Sequence, residues 1–208
     1  YRRLRAQYGS QPWWPADTPF EVAVGAVLTQ NAAWSNVEKA IERLKARDLL
    51  SLSALLAASA DDVADAIRPS GYYNIKTQRL LSLCAFLDTH GGLDGLGKLS
   101  LQEQRDGLLS VKGVGAETAD DILLYALDRP VFVIDTYTRR LVQRHGWADG
   151  AEPYEELRAG FEAALEPDVE LYQQYHALIV MHAKDACRKT PACGQCGVRE
   201  QCATGRAA

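Results

Sequence analysis

The chain has 208 residues, of which 47 % are hydrophobic and 24 % charged, with a formal net charge of −4. That length suits one large domain or two small lobes. No stretch reaches the roughly 20 apolar residues needed to cross a bilayer, so no membrane partner is expected. The opening YRRLRAQYGS has arginines with no apolar run behind them, so this stretch does not read as a secretory signal. The acidic balance excludes a globally basic nucleic-acid binder. Contact with a polyanion has to rest on local groups such as Arg139-Arg140-Arg144 or Arg188-Lys189, which taken alone read as solvated helix faces. The chain opens on Tyr1 rather than Met, which predicts a native N-terminus lying further out. The expected compartment is the cytoplasm, whose reducing conditions disfavour disulfides among the five cysteines.

In chain order, residues 1–8 read as a short helix, followed by a loop from Gly9 to Pro19 that contains Trp13-Trp14-Pro15. Phe20–Leu28 is apolar nearly all round, the pattern of a buried central helix, and Thr29-Gln30-Asn31 interrupts it with polar groups. After Trp34, Ser35 and Glu38 read as a capping box opening a helix to about Arg47. Ser53–Ala58 and Asp61–Ile67 read as short helices, the second capped by Ser59 or Asp61. Pro69-Ser70-Gly71 turns the chain toward a longer helix, Ile75–Thr89, that His90-Gly91-Gly92 ends. Within it Cys84 is expected to be a buried small hydrophobe.

Ser100–Leu109 and Ala116–Leu127 form two helical arms about Gly113-Val114-Gly115, and Asp128-Arg129-Pro130 stops the second. The apolar run Val131–Ile134 reads as a buried connector rather than a strand. Asp135 then stands at the N-cap position of a helix over Thr136–Gly146, and helices follow at Pro153–Leu165 and Val169–Ala186. No strand alternation appears, so the predicted class is all-α. The entry loop and the stop at Pro130 bracket a helical block of about 20–130. Residues 1–19 and 131–208 then form a second lobe, with a cleft between the two.

Four patterns carry chemistry. Two glycines in Gly113-Val114-Gly115 permit a tight turn and close backbone approach. The helix beginning near Ala116 leaves its first N–H groups and positive dipole end beside that turn, so residues 112–116 suit a phosphate oxygen. Cys187, Cys193, Cys196 and Cys202 have spacing C-x5-C-x2-C-x5-C. A single C-x2-C flanked by lone cysteines suits a [4Fe–4S] cube better than zinc, which usually takes two such knuckles. Gln30 and Asn31 are polar at the end of a buried helix and need partners, the plainest being a local cap. Trp13, Trp14 and Trp34 read as core, or as faces for stacking a flat cationic ligand.

GVGAETAD followed by a helix and VFVIDTYTRRL resembles the helix-hairpin-helix and downstream aspartate of the endonuclease III superfamily of DNA glycosylases. The resemblance implies a six-helix barrel carrying the hairpin, an iron–sulfur lobe built from both chain ends, and a DNA-binding cleft between them. It implies a monomer, nucleoid-associated, acting on double-stranded DNA that contains a damaged base. It also implies that Lys112, Gly113, Val114, Gly115 and Ala116 grip DNA backbone, that Asp135 is catalytic, that Gln30 with Asn31 enters the gap left by a flipped base, and that the four cysteines hold a [4Fe–4S] cluster. The family's spacing is C-x6-C-x2-C-x5-C, one residue longer in the first spacer. Lyase-competent members carry a lysine two residues past the hairpin's second glycine, where this chain has Glu117, which cannot form a Schiff base.

WWP, FEVAVGAVLTQNAAW, RPSGYYNIK and HAK are similar to a bacterial 3-methyladenine glycosylase branch of the same superfamily. That branch lacks the cysteine loop. The likeness implies that Trp34 stacks on the base, that Glu117 falls on the branch's own glutamate and that Lys184 lies near the pocket. The expected activity is monofunctional excision of alkylated purines. The alternatives are a bifunctional endonuclease III acting on oxidised pyrimidines, with Lys112 as substitute nucleophile, and a non-catalytic damage-binding protein.

Overall fold

The computed structural model describes all residues, Tyr1–Ala208, as helices and connecting turns with no strand. The chain divides into two units, one formed by Trp14–Arg129 and the other by Tyr1–Trp13 with Pro130–Ala208.

The Trp14–Arg129 unit is built on α2, Pro19–Thr29. Thr18 opens it, its hydroxyl accepting from the Glu21 N–H at 3.1 Å, with Pro19 preset for the first turn. Glu21 through Leu28 are all buried, as expected of a helix apolar on every side. It packs against α3 (Trp34–Ala46), α6 (Tyr73–Thr89) and α9 (Ala116–Ala126). The short helices α4 (Leu52–Ala57) and α5 (Ala60–Ile67) are capped by Ser51 and Ser59 and lie on α6. A further short helix, α7 (Gly92–Leu96), follows the Gly91-Gly92 turn, where no periodic pattern predicts one.

The capping box expected at Ser35 is not formed. Helix α3 begins at Trp34 with extended Ala33 as its N-cap and no side-chain cap. Asn31, in the left-handed region at φ 52°, turns the chain early enough that Ser35 already lies inside the first turn. A capping box does form at α8 (Leu101–Ser110). There the Ser100 hydroxyl accepts from the Glu103 N–H and the Glu103 carboxylate accepts from the Ser100 N–H.

In the second unit, α1 (Arg2–Tyr8) and α10 (Thr136–His145) both pack on α12 (Val169–Asp185), and α11 (Tyr154–Ala164) lies between α10 and α12 in sequence. Val131–Ile134 is fully buried and belongs to no strand. The Phe132 N–H donates to Glu162 at 2.9 Å, the Ile134 N–H donates to the Tyr154 hydroxyl at 3.3 Å, and the Phe132 ring stacks on Phe161 at 4.3 Å. These partners satisfy an extended backbone without a sheet and deliver Asp135 to the start of α10. The chain ends in the cysteine loop and α13 (Ala203–Arg206).

Candidate active site

The hairpin's two helices are joined by a buried bidentate ion pair: Arg105 on α8 donates to both carboxylate oxygens of Asp120 on α9, at 2.7 and 3.2 Å. Asp120 is fully buried, so its charge depends on that fork of donors. Between the helices, Gly113 takes φ 92°, a conformation that L side chains rarely adopt, whereas Gly115 is extended at φ −94°, ψ 178°. Only one of the two glycines is therefore used for backbone freedom. Gly115 caps α9 without a side-chain hydrogen bond, and no heavy atom lies within 4 Å of where its Cβ would be. Lys112, Gly113, Gly115 and Glu117 are exposed, Ala116 is half-buried, and Val114 is buried beneath them as the turn's apolar anchor. Bare N–H groups at a helix start, beside an exposed lysine, make a ready anion site.

Gln30 is drawn into this hairpin. Its Nε2 donates to the Gly113 carbonyl at 3.1 Å and to the Thr118 hydroxyl at 2.9 Å, and Arg79 on α6 donates to its Oε1. The partner a polar residue needs at this helix end is thus a distant one, not a local cap, and Asn31 beside it is exposed. Trp14 and Trp34 meet edge to face at 5.4 Å, and Trp14 also lies 5.5 Å from Tyr125. The Trp14 indole sits so close over Gly25 that a Cβ there would come within 3.1 Å of it. In the other unit, the exposed Lys184 holds its ammonium 5.7 Å from the centre of the Trp13 ring.

Asp135 is the N-cap of α10, its Oδ1 accepting from the Thr138 N–H at 2.6 Å, and His176 Nε2 on α12 lies 3.6 Å from Oδ2. Burial opposes its charge, but the His176 and Thr138 contacts outweigh burial and hold the carboxyl below the ordinary range. The group is therefore an anion at neutral pH, rigid and almost dry. His176 was not evident from sequence. It is one histidine on a helix of apolar character, and nothing in its neighbours marks it. Arg79 and Thr118 were likewise missed, because their role depends on where Gln30 lands.

The four cysteine thiols line one pocket with Arg144, His145 and His182. Arg144 donates to Cys187 Sγ at 3.1 Å and to the carbonyls of Arg188 and Lys189, and Cys202 Sγ donates to the Arg144 carbonyl. Burial, and then the proximity of the other three cysteines, push the Cys196 thiol up, a sign that all four converge. Here the structure corrects the reading of Arg139-Arg140-Arg144 as a solvated face. Arg139 donates to the carbonyls of Gly150 and Glu152, Arg140 to that of Ala183, and Arg144 staples the cysteine loop. Arg188 and Lys189 do stay exposed.

An all-helical chain with a glycine hairpin, a buried ionised aspartate and a four-cysteine loop has the makings of a DNA base-excision enzyme. The chain belongs to the HhH-GPD superfamily of base excision DNA repair proteins, matching that family over residues 24–167, and is a DNA glycosylase. It is 46 % identical over 205 residues to a Methanocaldococcus jannaschii protein described provisionally as a DNA repair glycosylase, covering 97 % of this chain and 93 % of that one. Among solved structures it is similar to Helicobacter pylori 3-methyladenine DNA glycosylase bound to 1,N6-ethenoadenine. That likeness has 30 % identity and a TM-score of 0.77, covering 88 % of this chain and 94 % of the other. The fold is also that of endonuclease III in a non-covalent DNA complex, at 22 % identity and a TM-score of 0.84, covering 99 % and 93 %.

Proposed function

We propose that this glycosylase flips an alkylated, cationic purine out of duplex DNA and releases it by hydrolysis, leaving an intact abasic strand. The observation that carries the reading is Glu117, a carboxylate exposed on the first turn of α9 where lyase-competent relatives of this superfamily place an amine. Without an amine there, no imine forms, and water is the nucleophile. The likeness to the H. pylori 3-methyladenine glycosylase supports the substrate class, as do the indoles of Trp13, Trp14 and Trp34, whose electron-rich faces favour a positively charged base.

In this reading Lys112 and the hairpin amides of Gly113–Ala116 hold a phosphate, and Gln30 with Asn31 fills the gap. The bond from the sugar C1′ to the base breaks with its electron pair leaving on the base. The Asp135 anion stabilises the cation developing at the sugar and takes a proton from the water whose oxygen bonds to C1′. The same reading gives Glu117 and Lys184 roles toward the damaged base. The four cysteines hold a [4Fe–4S] cluster. They share one pocket, and Cys187 Sγ accepts a hydrogen bond from the Arg144 guanidinium. A single C-x2-C flanked by lone cysteines supports a cluster over zinc, which usually takes two such knuckles. When bound, the cluster supplies a cross-link that stiffens the loop carrying Arg188 and Lys189.

The test is a panel of duplexes bearing 3-methyladenine, 1,N6-ethenoadenine or an oxidised pyrimidine, resolved by released-base analysis with and without hot alkali. Release of the alkylated purines, with strand breaks only after alkali and no borohydride trapping, is the expected result. Trapping of the wild type that disappears in Lys112→Ala or Lys184→Ala overturns it and restores a bifunctional mechanism.

A further inference from the structure

Helix α6 presents two cations to the end of α2. Lys76, buried at 1 % exposure, donates from Nζ to the Leu28 carbonyl at 2.7 Å and to the Ser70 carbonyl at 2.7 Å. Three residues further along the same face of the helix, Arg79 donates to Gln30 Oε1. Lys76 thus holds the backbone two residues before Gln30, and Arg79 holds the side chain itself. The amide's direction is unambiguous. The Gly113 carbonyl can only accept and the Arg79 guanidinium can only donate, so Nε2 faces the hairpin and Oε1 faces α6. Both Nε2 protons are used, on Gly113 and Thr118. The Arg79 stem also lies against the hairpin turn: a Cβ on Gly113 would stand 2.2 Å from Arg79 Cγ.

We infer that Arg79, with Lys76 and Thr118, is a positioning residue for base extrusion, fixing Gln30 against the Gly113 turn so that hairpin docking on a phosphate sets where Gln30 enters the duplex. The inference rests on the reading of Gln30 as the gap-filling residue. Its physical basis is that a glutamine has many rotamers and loses that freedom when it replaces a base. Three hydrogen bonds to two rigid elements remove the freedom beforehand, as preorganisation does in other sites. One of the three comes from a charged donor, which makes it the strongest. No group in this set needs to touch the damaged base.

The experiment uses the full chain in five variants, Gln30→Ala, Arg79→Met, Arg79→Lys, Gln30→Ala/Arg79→Met and Thr118→Val, with 2-aminopurine placed beside the lesion to report unstacking by stopped-flow fluorescence. Affinity for undamaged duplex is read in parallel by anisotropy. Arg79→Met keeps the stem that packs on Gly113 and removes the donor. It should slow extrusion roughly tenfold, the size of one charge-assisted hydrogen bond, while affinity for undamaged duplex stays within about twofold of wild type. The double variant should be no slower than Gln30→Ala alone, because Arg79 acts through Gln30. Arg79→Lys should recover part of the rate, and Thr118→Val should give the same pattern more weakly, which keeps the test open if Arg79→Met fails to fold. Multiplying defects in the double variant, or an equal loss of undamaged-DNA affinity in Arg79→Met, overturn the inference while leaving Gln30 in its role. Normal extrusion by Gln30→Ala would instead overturn the gap-filling reading, and this inference with it.

Discussion

The two hairpin glycines should respond to alanine in opposite ways. At Gly113, φ is 92° and an added Cβ would stand 2.2 Å from Arg79 Cγ and 2.8 Å from its Cδ. The left-handed backbone costs a non-glycine residue about 1–2 kcal/mol. Moving the Arg79 stem aside adds about 1–3 kcal/mol, as overpacking does elsewhere. A total of about 3 kcal/mol corresponds to a fall in Tm of roughly 6–12 °C for a chain of this size. At Gly115 the backbone is already extended and no atom lies within 4 Å of the new methyl. Gly115→Ala should therefore keep or raise stability, by about 0.4–1 kcal/mol through the restricted unfolded chain. Its methyl nevertheless points into the open space beside the α9 amides, where the proposed grip places a phosphate. Gly115→Ala should weaken binding to undamaged duplex about tenfold, the worth of one hydrogen bond to a charged group, and equally for all sequences. Thermal melts and fluorescence anisotropy at fixed salt measure the two effects. A Gly115→Ala variant that melts as low as Gly113→Ala, or that binds DNA like the wild type, would refute the reasoning.

Asp135→Asn keeps the cap on Thr138 but removes the charge, so it should retain DNA affinity while base release falls by about 10²-fold or more, the scale of one preorganised electrostatic contact; unchanged single-turnover release would remove Asp135 from the chemistry. Burial, and then the charge of Arg79, lower the Lys76 ammonium to about 8, whereas unfolded lysine titrates near 10.4. The folded chain loses this proton first, so the penalty is complete below pH 8 and relaxes as pH rises toward about 10; denaturant titrations should show wild type gaining on Lys76→Met over that interval, and a constant difference would contradict the assignment. Cys196→Ala should lose iron and the broad absorption near 400 nm expected of such clusters before it loses activity per folded molecule, and wild type purified with one zinc and no iron would sink the cluster reading. Affinity for duplex should fall with salt at a log–log slope of about −0.9 per phosphate neutralised, despite the net charge of −4; a flat salt response would exclude the hairpin amides and Lys112 as the grip.

What the amino-acid sequence settled by itself is local. The all-round apolar run of Phe20–Leu28 could only be a buried helix, and Val22–Leu28 are all buried. Cys84 lies in the core, where burial pushes its thiol up to about 12. Asp135 caps α10, and the two hairpin arms flank their glycines, because caps, turns and helical periodicity are written in residues a few positions apart. Tertiary structure decided what depends on distant partners. It gave Gln30 its acceptors 83 and 88 residues away, and it set His176 against Asp135, making the carboxylate an anion despite burial. It turned Arg139, Arg140 and Arg144 from a charged stripe into donors for backbone carbonyls. It also started α3 at Trp34, ahead of Ser35, because Asn31 turns the chain where α2 meets the hairpin. A side chain's type states what it can bond, but which of its possible partners it meets depends on helices packing from far apart in the chain. For that reason the chemistry of this site could be listed from sequence, while its wiring could not.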